Sequence, residues 1–431
     1  MVLVCLVLLP GIMLLSKRKY EQNINPITLF IGMNLFSLIL MFATSSIDSH
    51  LNYAVWGYVA IMFIAFALGT KAGERKLLFR RKEIVITKQT NIIRLKKIII
   101  IYSIVFDIAA FYYLHVLNTS FGFSNLLTDM SGLNQLVQSG EFETGLYTYF
   151  TPIGVPLSIL ILFYLNNEVA RYKALLIIQY ILCFIPCISP RRDTLYLMLT
   201  MTIFFILTKN NSFYKVSESV SKRIKRIFIA VVLIILGLWV MSYTQGLMNK
   251  SSIKQATYLF GIHIPSWLQD PILYLAGNYP CLEKIYETGA LKFQFPLIST
   301  FRLLYRYIFS FLGIKIDTTT AFALGFYNIG NISGVRFNTV PMLYYIIIES
   351  GFFFFLVFFI VGVLSEKAYK GVKKYNSIGS ILLGLFQYDI IFFSFRSYNL
   401  IFLSYFMALV YIIIAKYFVD VDSLDLAEVA E

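Results

Sequence analysis

Ser189-Pro190-Arg191-Arg192-Asp193 stands between two apolar runs, 174–188 and 194–208. Each run can cross most of a bilayer as a helix, so the five residues read as the tip of a helical hairpin at a membrane face. Arg171 and Lys173 precede the hairpin, and Lys209, Lys215, Lys222, Arg223, Lys225 and Arg226 follow it. Basic loops mark the cytoplasmic side, which places both flanks inside and the tip outside. Two adjacent arginines outside run against that bias. Either they bind an anion, most simply a phosphate group at the outer leaflet, or an Arg–Asp pair pins the turn.

The surrounding composition agrees with a membrane setting. Of 431 residues, 58 % are hydrophobic and 14 % charged, and the mean hydropathy is +0.73. A soluble domain carries about a quarter charged residues. The chain therefore reads as an all-α, polytopic integral membrane protein. Its net charge of +14 falls mostly in short loops on one side. Topology and anionic lipid account for it, and no nucleic-acid partner is implied. Cys5, Cys183, Cys187 and Cys281 have neither metal-ligand nor disulfide spacing. With three histidines, no His-rich metal site is expected. The run 1–16 lacks a basic n-region and an A-x-A-like site, so it reads as a retained first span.

Hydropathy and loop charge predict eleven spans: 1–16, 26–45, 52–70, 98–117, 147–165, 174–188, 194–208, 227–247, 340–364, 376–394 and 398–418. Residues 1–420 would form a single integral membrane domain, with the N-terminus out and 421–431 a short cytoplasmic tail. The segment 71–97 carries ten basic residues against Glu74 and Glu83 and is the strongest inside signal. The segment 118–146 has three acids and no basic residue, which places it outside. Residues 248–339 then form an extracytoplasmic loop of unusual length with short helices, and Cys281 within it should be open to labelling from that side. Loops this long are commonly functional. No internal repeat is visible, which disfavours an inverted-repeat transporter.

The long loop holds most of the residues able to do chemistry. His263 lies in Phe260-Gly261-Ile262-His263, Asp270 precedes Pro271, and Tyr274 to Pro280 reads as structured turns. Its tyrosines suit either stacking on sugar rings or an interfacial aromatic belt. Arg302 and Arg306 are four apart and share a face if helical. The run 307–314 after them is too short to span and suits a re-entrant or surface helix. That pair could hold a diphosphate or snorkel to headgroups. Arg336 stands just before the span 340–364, and Glu349 lies within that span. A carboxylate there is costly and faces a polar cavity or a cation. Asp389 and Asp107 are placed similarly, and Arg396 marks the tip of the last hairpin. Lysine dominates the inner loops. Arg191, Arg192, Arg302, Arg306, Arg336 and Arg396 fall on the outer side, where arginine is the better bidentate phosphate ligand.

These features resemble the Wzy-type O-antigen and capsular polysaccharide polymerases. The resemblance rests on ten or more spans with a late large loop, and on the polar Arg hairpin at 189–193. It rests also on the passage from Asn338-Thr339 through Tyr344-Tyr345 into Glu349-Ser350-Gly351, which looks like the family's Asn-Thr stretch and acidic-x-Gly. Arg302 and Gly313 match an Arg-x10-Gly spacing of some members. A departure is Glu349, where the family often has Asp.

The resemblance implies a GT-C-like membrane glycosyltransferase of the cell envelope, in the bacterial cytoplasmic (inner) membrane with its site facing the exterior or periplasm. The donor would be an undecaprenyl-diphosphate-linked oligosaccharide, the acceptor a second lipid-linked repeat, with no cofactor and no metal. A chain-length regulator and a flippase are the implied protein partners. Arg191, Arg192, Arg302, Arg306 and Arg336 would bind the diphosphate. His263, Glu349, Asp270 and Asp193 are the candidate proton acceptors, Asp193 better suited to positioning. An O-antigen ligase would share the donor and look alike. A lipid-linked oligosaccharide flippase would place charge through the membrane depth rather than at the outer ends. A peptidoglycan polymerase of the cell-division type would carry an acidic outer-loop motif not visible here.

Overall fold

The computed structural model of the chain is mostly helical. It describes residues 24–74, 88–126, 145–166, 172–184, 193–208, 257–300, 311–312, 327–330, 336–374 and 377–420, apart from Ser49, Leu146, Phe295, Ile298 and Ser299, with four positions in 228–235. Six helices among the described residues are long and apolar enough to cross a bilayer: Tyr53–Glu74, Ile92–Ser120, Tyr147–Leu165, Met342–Val372, Ile378–Phe395 and Leu403–Asp420. Three shorter apolar helices cover Thr28–Ala43, Lys173–Leu182 and Thr194–Thr208. These nine coincide with nine of the expected spans. The span 1–16 lies outside the described residues, as does nearly all of 227–247.

The helices that matter below are α1 (Met33–Ala43), α2 (Tyr53–Glu74), α3 (Lys88–Ser120), α4 (Gly154–Leu165), α5 (Lys173–Leu182), α6 (Asp193–Thr208), α7 (Ser266–Ala276) and α8 (Asn278–Glu287). They continue with α9 (Met342–Ser350), α10 (Phe354–Lys374), α11 (Ile378–Phe392) and α12 (Leu403–Asp420). The chain clusters into two compact units.

The first unit comprises Met1–Arg75, Leu236–Lys367 and Ile390–Ile401. Within it, Phe30 stacks on Phe66 at 4.0 Å between ring centroids, and Phe358 closes on Phe30 at 5.8 Å. Below these rings α2 and α10 meet backbone to backbone. A Cβ on Gly69 would overlap the Phe359 carbonyl, and one on Gly362 would overlap that of Phe66. Small residues at a crossing permit this approach, which is how apolar helices associate where burial from water no longer drives them.

The long loop supplies much of this unit. The turns expected at Tyr274–Pro280 are in fact α7 and α8, joined at Gly277. Pro280 lies in the first turn of α8, where its missing N–H costs nothing. Gly277 is required by packing: a Cβ there would lie 2.7 Å from the Ile329 side chain. The all-α expectation holds, with few strands among the helices. Two short antiparallel pairs are present, β1 (Tyr258–Leu259) with β2 (Ile262–His263), and β3 (Tyr327–Asn328) with β4 (Arg336–Phe337). The first is closed by Phe260 and Gly261, both at positive φ, as a two-residue hairpin turn demands. It is moored to the end of α1 by Phe260 N–H to the Ala43 carbonyl at 2.9 Å and Ser45 N–H to that of Tyr258 at 3.0 Å.

The second unit comprises Lys76–Ile235, Ala368–Asp389 and Phe402–Glu431. The span 147–165 passes through a 3-10 turn, Thr151–Ile153, which contains Pro152, ahead of α4. Tyr102 of α3 donates to the Tyr411 carbonyl of α12 at 2.7 Å, and Tyr411 donates to that of Tyr149 at 2.9 Å. Asp107 is half-buried and accepts from Gln179 of α5 at 2.7 Å. Ser377 caps α11 through the Ser380 N–H at 3.1 Å and donates to Asp420 at 2.6 Å.

Candidate functional site

One polar cluster of the first unit lies where its longest apolar run breaks. The helix begun at Met342 stops at Ser350 and restarts at Phe354 after a 3-10 turn, Gly351–Phe353. Gly351 has φ +56, which an L side chain adopts only at a cost. A Cβ there would also lie 3.2 Å from that of Phe293. A helix end leaves carbonyls without partners. At this one, part of the long loop supplies them. Gln294 N–H donates to the Ile348 carbonyl at 2.8 Å, and Leu297 N–H to that of Glu349 at 3.3 Å. Leu297 is held at φ +53, a strained conformation for a branched side chain.

The Glu349 side chain completes the attachment. It is 2 % exposed. Its Oε2 accepts from the Thr300 N–H at 3.0 Å, and its Oε1 accepts from the Thr300 hydroxyl at 3.0 Å. Tyr398 Oη lies 2.9 Å from the same hydroxyl oxygen. With the Thr300 proton directed at the carboxylate, Tyr398 is the donor to Thr300. The carboxylate therefore accepts from both the N–H and the O–H of Thr300.

A second polar group ties α1 to α8. Tyr279 Oη donates to Asn34 Oδ1 at 2.6 Å, and Asn34 Nδ2 donates to Ser394 Oγ and to the Phe30 carbonyl, each at 2.8 Å. All three side chains are buried. Thr339 donates to Asn278 at 2.9 Å, so the Asn338-Thr339 stretch is anchored to the start of α8. The guanidinium of Arg396 sits 5.3 Å over the Tyr274 ring of α7, an arrangement that holds a cation beside apolar surface.

The remaining candidates are distributed as follows. His263 is exposed on β2, edge-on to Tyr258 at 5.6 Å. Asp270 lies half-buried in α7, and burial raises its carboxyl pKa above the ordinary carboxylate value. Asp193 opens α6, but its side chain lies outside the described residues, as do Arg191, Arg192, Arg302 and Arg306. Arg336 is described only in its backbone, paired with Asn328. Glu349, His263 and Asp270 thus stand on three different elements of one unit. Comparison with family models, with curated proteins and with solved structures finds no match.

Thr300, Tyr398 and Asn34 were not singled out from the sequence as functional, and Tyr279 was read only as one of the loop tyrosines suited to sugar stacking or an aromatic belt. Asn34 carried a signal, being an amide within an apolar run. Thr300 and Tyr398 carried none, because their partners are 49 and 98 residues away. The expectation that Cys281 can be labelled is corrected. Its side chain is fully buried, its thiol lies 3.7 Å from the Phe337 carbonyl, and burial pushes its pKa up to about 12. A thiol reacts as the thiolate, so Cys281 is a poor reporter from either side. Among the described residues no three His, Cys, Asp or Glu are grouped to hold a metal ion.

Proposed function

We propose that the chain polymerises lipid-linked oligosaccharide repeat units at the outer face of the bacterial cytoplasmic membrane. A glycan would pass from undecaprenyl diphosphate to the non-reducing end of a second lipid-linked repeat. The observation that supports this reading most is the broken apolar helix at Ser350–Gly351 with the long loop folded into it. A substrate whose tail stays in the bilayer must meet its polar groups beside apolar helices, and non-helical backbone at that depth is tolerated only where protein covers it.

In the reaction the acceptor hydroxyl oxygen attacks the anomeric carbon, and the bond to the diphosphate oxygen breaks. The electron pair leaves with undecaprenyl diphosphate, and the hydroxyl proton passes to a protein base. Charge grows on the leaving diphosphate, which fixed guanidinium groups stabilise. Arg191, Arg192, Arg302, Arg306 and Arg336 are assigned that task. His263, exposed, and Asp270, half-buried, are the acids and bases that a substrate could reach. Asp193 beside two arginines is assigned to orienting them. The transfer needs no nucleotide sugar.

The arginine hairpin tests this assignment. Lysine cannot copy a bidentate guanidinium contact, and losing one transition-state donor costs about two to three orders of magnitude in rate. Arg191→Lys and Arg192→Lys together should abolish polymer while the protein still accumulates, as read by polymer length and immunoblot. Normal polymer from the double variant at wild-type abundance would leave the hairpin a structural pin.

A further inference from the structure

We infer that Glu349 is a positioning residue that clasps the long-loop segment 293–300 into the helix break through Thr300. The inference rests on the polymerase reading for what the segment serves, but the clasp itself stands on geometry. Four residues of one short segment converge on the break. Phe293 packs on Gly351, Gln294 and Leu297 donate to the last carbonyls of α9, and Thr300 gives both its N–H and its hydroxyl to Glu349. Tyr398 closes the far side of Thr300. Leu297, itself one of these donors, is held at φ +53. A strained residue persists only where its surroundings over-determine it, and such residues gather at functional sites.

This arrangement argues against Glu349 as the proton acceptor. A general base must reach the substrate hydroxyl within hydrogen-bond distance. Glu349 is 2 % exposed, and each of its oxygens already receives a donor from Thr300. What the carboxylate can do is fix where the chain leaves the break. Arg302 follows Thr300 by two residues in the sequence. Holding Thr300 therefore limits where that arginine can go, and misplacement by about 1 Å can cost on the order of a hundredfold in rate.

The roles separate on Glu349→Gln. Glutamine keeps an oxygen to accept the Thr300 N–H and an amide to donate to the Thr300 hydroxyl, which then turns toward Tyr398. It cannot take a proton. A positioning role predicts that E349Q keeps kcat within about tenfold of wild type with the same pH profile, whereas loss of a base costs about 100- to 10,000-fold. E349A and Thr300→Val should lower kcat at least tenfold, and Thr300→Ser should restore it.

Hydrogen exchange on the full chain in lipid nanodiscs reads the clasp without activity. Protection of the Thr300 and Leu297 amides should persist in E349Q and fall at least tenfold in E349A, with T300V testing the loop side if E349A does not accumulate. Unchanged protection in both E349A and T300V would overturn the clasp. An E349Q variant with protection intact, activity lost and one limb of the pH profile missing would make Glu349 the base and overturn the positioning role. An inactive wild type would refute the polymerase reading alone, and the exchange data would still decide the clasp.

Discussion

At Asp270 the sequence suggested a proton acceptor, and the structure gives its carboxyl a measurable handle. Burial raises its pKa in the folded protein. The folded state then binds the proton more tightly than the unfolded state does. Its contribution is most favourable below the unfolded value and is lost as pH rises through the folded one. Asp270→Asn removes that loss. The variant should therefore melt higher than wild type near neutral pH, and the difference should vanish in acid below the ordinary carboxylate range. Thermal unfolding in detergent at both pH values measures this. An equal or lower melting temperature near neutrality would mean that the ionised carboxylate is compensated in the fold. If Asp270 also serves the acceptor hydroxyl, the same variant loses activity as it gains stability, the trade common at functional sites.

Among the elements, the crossing of α2 and α10 makes the sharpest demand on the chain. Gly69 and Gly362 face carbonyls across it, and Gly73 approaches Glu366 in the same way. Gly362→Leu should force the helices apart at a cost of at least about 1–3 kcal/mol, seen as a lower melting temperature or reduced accumulation. Tolerance of leucine there would contradict the backbone contact. Helices were legible because length and hydropathy are local properties: nine apolar runs appear as helices, six of them long and apolar enough to cross a bilayer. The α7–α8 pair was not, because Tyr, Gly, Asn and Pro read as turn residues. Gly277 is there to admit Ile329, and Pro280 sits where a helix start tolerates it. The β1–β2 hairpin was hidden because Phe260 lacks the usual turn chemistry, and its register is set by docking on α1. Glu349 was visible as a carboxylate in an apolar run, but its partner Thr300 was not, since tertiary packing alone joins them.

For the whole molecule, loop charge predicts that 118–146 and 248–339 face the exterior. Cysteines introduced at exposed His263 and near 132, in a Cys281-containing background whose own thiol is buried, should be labelled in intact cells by an impermeant reagent. Labelling only after lysis would reverse the topology and, with it, the outer-leaflet reaction.

The reading of the molecule as a polymerase is tested most directly by reconstitution. Purified protein in proteoliposomes would be given purified undecaprenyl-diphosphate-linked repeat units, with a metal chelator and no nucleotide sugar. Mass spectrometry should then find glycans growing by whole repeat units on the lipid, with undecaprenyl diphosphate released once per bond formed. Lipid-linked repeats recovered at their original length, whether left in place or moved across the bilayer, would contradict it.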